Sequence, residues 1–151
     1  MIIRSIPNFF LQHAPDLHLL RLEWVARSDV RLLRTSAGQL LALLAELNIR
    51  HLLLDMNSVP NLDLPDQLWL GDHWMPGLLA LDLKQLVLAI GGTQMHNQLA
   101  IDALYALVQS SIRFDSHYFP DAALAFDWLA DGSPQRAALE AEWAAEKGIK
   151  N

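Results

Sequence analysis

The run His51-Leu52-Leu53-Leu54-Asp55-Met56 is short and almost continuously apolar. A second run, Lys84-Gln85-Leu86-Val87-Leu88-Ala89-Ile90, has the same character. Runs of this length without polar alternation are typical of strands that are buried on both faces, as in a parallel sheet. We therefore predict that the two segments are neighbouring strands of a sheet that lies between helices.

The residues before this pair predict a hairpin and a long helix. Residues 8–13 form a short β-like run, and residues 18–25 alternate apolar with polar side chains, which is the period of a half-buried strand. A Pro-Asp turn separates the two runs and favours an antiparallel hairpin. Ser28-Asp29 then offers a helix cap, and apolar residues at helical spacing predict a helix over residues 30–47.

The rest of the chain predicts four further helices and one strand at the edge of the sheet. Pro76-Gly77 must kink or split the first of these helices, because proline cannot donate a backbone hydrogen bond. Asp121 is expected to cap the third. The predicted elements are helices over residues 64–81, 95–110, 121–130 and 134–148, with a strand over residues 112–119.

Strands that alternate with helices predict an α/β fold. We expect a mostly parallel sheet of four to five strands with helices packed on it, an N-terminal β-hairpin and a C-terminal helical tail. The chain has 151 residues and a mass of 17.0 kDa, which suits one domain with its own core. Ser133-Pro134 is the predicted boundary between a domain of residues 1–132 and a tail of residues 133–151.

Composition excludes several classes of function. The net charge of −6 argues against a nucleic-acid partner, which requires clustered Lys and Arg. The absence of Cys excludes disulfides, thiolate catalysis and cysteine zinc sites. The first residues lack the pattern of a signal peptide, and no apolar run reaches about 18 residues, so we expect a cytoplasmic protein without a membrane span.

Three polar residues follow the first buried strand at the sheet edge where α/β proteins usually bind ligands: Asp55, Asn57 and Ser58. The alternative is that Asp55 and Asn57 bind backbone N–H groups and only hold the loop. Gly91-Gly92-Thr93 lacks the spacing of a phosphate loop and is read as a turn. The six His residues show no ligand spacing, so we predict no metal site. No serine lies in a Gly-x-Ser-x-Gly elbow and no carboxylate pair stands out, so we predict no cofactor and no catalytic residue; the alternative is an enzyme that uses Asp55 and Asp72.

The second predicted helix carries aromatic and polar residues that suit a ligand or partner surface: Trp69, Asp72, His73 and Trp74. The alternative is that the tryptophans belong to the core. Only 19% of the residues are charged, which favours self-association, an apolar cavity or both. Leu139 and Trp143, four residues apart in the tail, form a narrow apolar stripe that must dock on another surface.

The order of elements and three local patterns resemble the SpoIIAA-like superfamily, which contains the STAS domains and the CRAL-TRIO lipid-transfer fold. The resemblance covers roughly residues 8–130, and its motifs concern packing. The patterns are Leu52-Leu53-Leu54-Asp55, the aromatic-rich stretch from Trp69 to Pro76, and the ending Tyr118-Phe119-Pro120-Asp121-Ala122-Ala123-Leu124-Ala125-Phe126-Asp127-Trp128-Leu129.

The resemblance implies a non-enzymatic interaction module of a bacterial cytoplasmic regulatory system, working as a homodimer with a regulatory protein partner. A second hypothesis is a carrier of a hydrophobic small molecule, because CRAL-TRIO relatives hold lipids between sheet and helices. A third is a phosphorylatable antagonist of an anti-sigma factor with Ser58 as acceptor, although the Asp-Ser-Ser-Gly string of such proteins is absent here.

Overall fold

The structure is a computed structural model that describes residues 1–150, with side chains described through Gly148. Asn151, the last residue of the predicted tail, lies outside the described residues. Six strands run through the described chain: β1 (Ile2–Ile3), β2 (Phe9–Ala14), β3 (Leu19–Trp24), β4 (His51–Asp55), β5 (Gln85–Ala89) and β6 (Asp115–Phe119).

The helices alternate with the strands from β3 onward, as predicted. They are α1 (Leu33–Glu46), α2 (Leu64–Trp69), α3 (Met75–Leu79), α4 (Met95–Val108), α5 (Ala122–Leu129) and α6 (Arg136–Lys150). Short 3₁₀ turns occupy Pro15–Leu17, Val30–Leu32, Gly92–Gln94 and Gln109–Ser111. The Asp121 carboxylate accepts a hydrogen bond of 2.8 Å from the backbone N–H of Leu124, which confirms the predicted cap of α5.

The six strands form one mixed sheet in the order β1-β2-β3-β4-β5-β6. The predicted hairpin is confirmed, since β2 and β3 pair antiparallel, and β3 to β6 pair in parallel. The prediction of a mostly parallel sheet of four to five strands is wrong in its detail. It omitted β1, which pairs antiparallel with β2 and is too short to show a pattern in the sequence.

The three crossovers of the parallel strands place their helices on one face of the sheet. This follows because sequential strands joined by crossovers of one hand move along the sheet in one direction. The buried side chains of α1, α3 and α4 meet those of the strands in one large apolar cluster. Examples from the strands are Leu20, Leu52 and Leu86, which are aligned neighbours in the sheet.

The opposite face of the sheet is covered by α5 and α6. Here Leu53 and Val87, which point away from the first cluster, pack with Phe126 of α5 and Leu139 of α6. The fold therefore has three layers, and the predicted tail helix lies against the sheet of its own chain.

The segment predicted as one helix over residues 64–81 is interrupted, but the interruption lies just before Pro76-Gly77, which themselves belong to the first turns of α3. A π-turn at Leu70–Trp74 separates α2 from α3. Pro76 has no N–H and its ring would clash with the carbonyl of the preceding turn, so a wider turn before it relieves both problems. A Cβ on Gly77 would lie 2.7 Å from Leu41 Cδ1, so α3 lies against the Leu41 side chain of α1 and a larger residue there would require that side chain to move.

Candidate functional site

An apolar cavity of about 120 Å³ lies between the sheet and the helices of the first face. Side chains from β3, β4, β5, α1, α3 and α4 line it, together with the π-turn. Leu54 and Leu88 form part of its floor, and Leu40 and Trp74 are among the helical residues around it. Apolar cavities of roughly 150 Å³ stay dry and bind benzene or xenon. A small uncharged ring is therefore the largest molecule that suits this space.

Trp74 connects the π-turn with α1. Its indole N–H donates a hydrogen bond of 2.8 Å to the backbone carbonyl of Ala37, and its ring is half-buried beside the cavity. Trp74 thus packs against the core and lines the cavity at once.

Trp69 lies on the outside of the same segment. The guanidinium of Arg34 is 5.8 Å from the centre of its ring and forms an ion pair of 2.9 Å with Asp66. His73 stacks loosely beside Trp69, with 6.0 Å between ring centres, and Asp72 and His73 are both exposed. The structure therefore separates the four residues predicted on this helix: Trp74 faces the cavity, Trp69 is half-buried beside Arg34, and Asp72 and His73 are exposed.

Asp55 ends β4 and closes the turn that follows it. Its carboxylate accepts a hydrogen bond of 3.0 Å from the backbone N–H of Asn57. Burial raises the pKa of Asp55, and the neighbouring carboxylate of Glu23 raises it further. The Asn57 N–H and the cations Lys147 and Arg21 lower it, but burial has the largest effect.

Asn57 joins the loops that follow three parallel strands. Its side-chain oxygen accepts from the backbone N–H of Gly91 at 2.7 Å, and its side-chain amide donates to the carbonyl of Pro120 at 3.2 Å. A Cβ on Gly91 would lie 3.2 Å from this oxygen, which explains glycine at that position. Ser58 is exposed in the turn that follows. Both ends of the Asn57 amide thus help to hold the sheet edge together.

A second polar site, which the sequence did not reveal, lies under α6. Arg21 is buried, and its guanidinium carbon is 4.1 Å from the Trp143 ring centre and 4.8 Å from that of Phe126. Its Nε has no hydrogen-bond partner within the described part of the chain. Burial lowers the pKa of Arg21 to about 10. The alternation of β3 predicted that Arg21 faces solvent; that prediction is wrong because α5 and α6 cover this face.

The two apolar residues of the tail are buried against the chain's own sheet. Leu139 belongs to the apolar cluster between the sheet and α5–α6, and the ring centre of Trp143 lies 4.5 Å from that of Phe10. The side-chain amide of Gln12 donates to the carbonyl of Leu139 at 2.7 Å. Lys147 at the end of α6 forms an ion pair of 2.9 Å with Glu23 of β3.

An exposed apolar surface crosses α2 and α4. The loop before α2 and the π-turn after it both lie close to α4, since His96 Nε2 is 2.7 Å from the carbonyl of Leu62 and a Cβ on Gly71 would lie 3.2 Å from Leu104. We call this surface the α2–α4 patch. Its members and their exposed fractions are Leu64 (64%), Leu68 (58%), Met95 (62%), Leu99 (60%) and Leu107 (78%).

Within the described residues, no three His, Asp or Glu side chains are grouped to hold a metal ion. No helix in this part of the chain has the length and apolar character needed to cross a bilayer. Comparisons with protein-family models, with curated proteins and with solved structures found no match for the chain.

Proposed function

We propose that the chain is a SpoIIAA-like, non-enzymatic protein-interaction module that works as a homodimer in the cytoplasm of a bacterium. The observation that carries this proposal is the α2–α4 patch. Single exposed leucines are normal, but five large apolar side chains that are each more than half exposed on α2 and α4 favour a docking surface. Such a surface marks a site where another protein docks.

The composition of α4 supports a protein partner. Its 14 residues include Asp102 as the one charged side chain, with no Lys, Arg or Glu. Leu99 and Leu107 are eight residues apart, so both lie on one side of the helix, and Ala103 between them is also exposed. A helix with a polar outer face is well solvated as it stands. Docking of a partner on α4 would instead remove apolar side chains from water, which favours binding.

Two charge-introducing variants test this proposal against a matched control. Leu68→Glu and Leu99→Glu place a carboxylate in the patch, and Leu32→Glu places one on an exposed leucine outside it. We expect the tagged wild-type chain to retain one stoichiometric partner protein from the cells that make it, as measured by quantitative mass spectrometry. Both patch variants should lose it and the control should keep it. Equal retention by all four chains would overturn the proposal.

The cavity favours a second candidate function, a carrier of a small hydrophobic molecule. Its size suits a single ring rather than a lipid chain. We expect benzene or indole to raise the melting temperature of the wild-type chain. Ala37→Leu, which fills the cavity from α1, should abolish the shift, and Ala45→Leu on the exposed side of α1 should not. A shift that survives Ala37→Leu would place the ligand elsewhere and reject this candidate.

A further inference from the structure

The two edges of the sheet are protected unequally. At one edge, β1 has only two residues and α6 packs against it, with Arg4 bound to Glu146 at 2.8 Å. At the other edge, β6 has five residues, and no further strand of the described chain lies beyond it. An open strand of this length is a ready template for pairing, which natural proteins usually block or use.

The backbone of β6 presents free groups at two positions. The N–H of Asp115 donates to Lys84 and the carbonyl of Phe119 accepts from Ile90, so these residues point towards β5. Backbone groups alternate in direction along a strand. The N–H and C=O groups of Ser116 and Tyr118 therefore point away from the sheet.

Aromatic side chains border this open edge. The ring centre of Trp128, on α5, lies 4.5 Å from the ring centre of His117 and 5.5 Å from that of Phe119. Trp128, Tyr118 and Leu124 remain 43%, 44% and 52% exposed. Tryptophan and tyrosine are enriched at protein interfaces and dominate their binding energy. The edge thus combines unpaired backbone groups with partly exposed aromatic anchors.

We propose that β6 pairs antiparallel with β6 of a second copy of the chain, about a two-fold axis at His117. This inference rests on the proposed function and specifies how the homodimer forms. In this register all five residues of β6 are paired. Ser116 of each copy lies opposite Tyr118 of the other, and the outward groups of these two residues form four backbone hydrogen bonds across the axis. The two sheets become one sheet of twelve strands.

The charges around β6 fit a second copy. Arg113 precedes the strand, is exposed and has no ion pair within the described residues; Asp121 follows the strand and is also exposed. Antiparallel pairing brings Arg113 of one copy to the same end as Asp121 of the other, twice per dimer. No like charges face each other in the register, since Asp115 lies opposite Phe119.

The absence of Cys from the natural sequence allows a direct test. In the proposed register His117 faces itself as a non-hydrogen-bonded pair, with about 4.5 Å between the Cα atoms. That distance suits a disulfide, which spans about 4.4–6.8 Å between Cα atoms. We expect His117→Cys to form a disulfide-linked dimer under mild oxidation. Asp115→Cys is the matched control, because its two copies would lie roughly 13 Å apart along the strands and should not cross-link.

A second variant tests the backbone pairing itself. Ser116→Pro removes one outward N–H while leaving the bonds to β5 intact, and we expect it to weaken the dimer at least tenfold in light scattering after size exclusion. Circular dichroism checks that the variant folds. A dimer that neither cross-links through His117→Cys nor responds to Ser116→Pro would overturn the inference and leave the proposed function standing. A chain that is monomeric at all concentrations would overturn both the inference and the homodimer of the proposed function, and the patch variants would still test the docking of another protein.

Discussion

Arg21 of β3 and Trp143 of α6 are 122 positions apart in the sequence, yet the guanidinium carbon lies 4.1 Å from the centre of the indole ring. The guanidinium also lies over Phe126, so two rings contact one buried cation. Because the contact is shielded from water, it is stronger than the same contact on a surface. It joins the last helix to the middle of the sheet.

This contact predicts an energetic coupling between the two residues. We expect a double-mutant cycle of Arg21→Met and Trp143→Leu to give a coupling free energy of about 1–2 kcal/mol in urea unfolding. The control cycle pairs Trp143→Leu with Arg113→Met, at an exposed arginine remote from the tail, and should give a value near zero. Equal couplings in the two cycles would contradict a specific contact.

Removing the charge of Asp55 is predicted to increase the stability of the fold by an amount that depends on pH. Folding raises the pKa of Asp55, so the protonated carboxyl favours the folded state. Its contribution to the unfolding free energy is complete below the pKa of the unfolded chain, about 3.9, and is lost as the pH rises through the pKa of the folded chain. Asp55→Asn keeps the acceptor for the Asn57 N–H but carries no charge. We expect it to raise the unfolding free energy at pH 7 by less than about 1 kcal/mol, since the carboxyl is partly solvated. The difference should vanish towards pH 4.

The matched control for Asp55 is Asp121→Asn, at an exposed cap where Asn serves as well as Asp. It should change the unfolding free energy little. A gain from Asp55→Asn that is as large at pH 4 as at pH 7 would show that its cause is not the charge.

Two neighbouring residues of the predicted site should differ sharply in their effect on stability. Asn57→Ala leaves the Gly91 N–H and the Pro120 carbonyl without their partner and should cost about 1–3 kcal/mol. Ser58→Ala changes an exposed side chain and should stay within about 0.5 kcal/mol of wild type. Chemical denaturation compares the two directly. Similar losses from both variants would show that the loop is not held by the Asn57 amide.

Two helical glycines predict different outcomes for the same substitution. Gly38 of α1 is exposed, and an added Cβ meets nothing within 4 Å, so Gly38→Ala should stabilise the chain by about 0.5–1 kcal/mol. Gly77→Ala places its Cβ 2.7 Å from Leu41 Cδ1, so the Leu41 side chain must move and the stabilisation should be smaller than at Gly38. Melting temperatures of the two variants measure the difference. An equal stabilisation by both variants would show that Leu41 moves without cost.

The strands that are buried on both faces were the easiest elements to predict. The predicted runs at residues 51–56 and 84–90 match β4 and β5 to within one residue at each end. Their signal is local, because a strand covered on both sides needs apolar residues at almost every position. The signal for the cap of α5 is also local, because Asp121 binds a backbone group only three residues away.

The features that the sequence did not predict depend on distant segments. Arg21 fits the alternation of a half-buried strand, in which it would face solvent. It is buried because Phe126 and Trp143, far along the chain, pack over it. The sequence left open whether the two tryptophans of the second predicted helix belong to the core or to a partner surface. The π-turn before Pro76 and the carbonyl of Ala37 decide that Trp74 faces inward.

Sheet order that follows chain order affects how the protein is made. Each strand pairs with the one synthesised just before it, so the growing chain can add one strand and its helix at a time as it leaves the ribosome. The exception is α6, which must reach back to Phe10, Gln12 and Arg21. Its docking completes the second face last, and until then a nascent chain exposes that side of the sheet to chaperones and proteases.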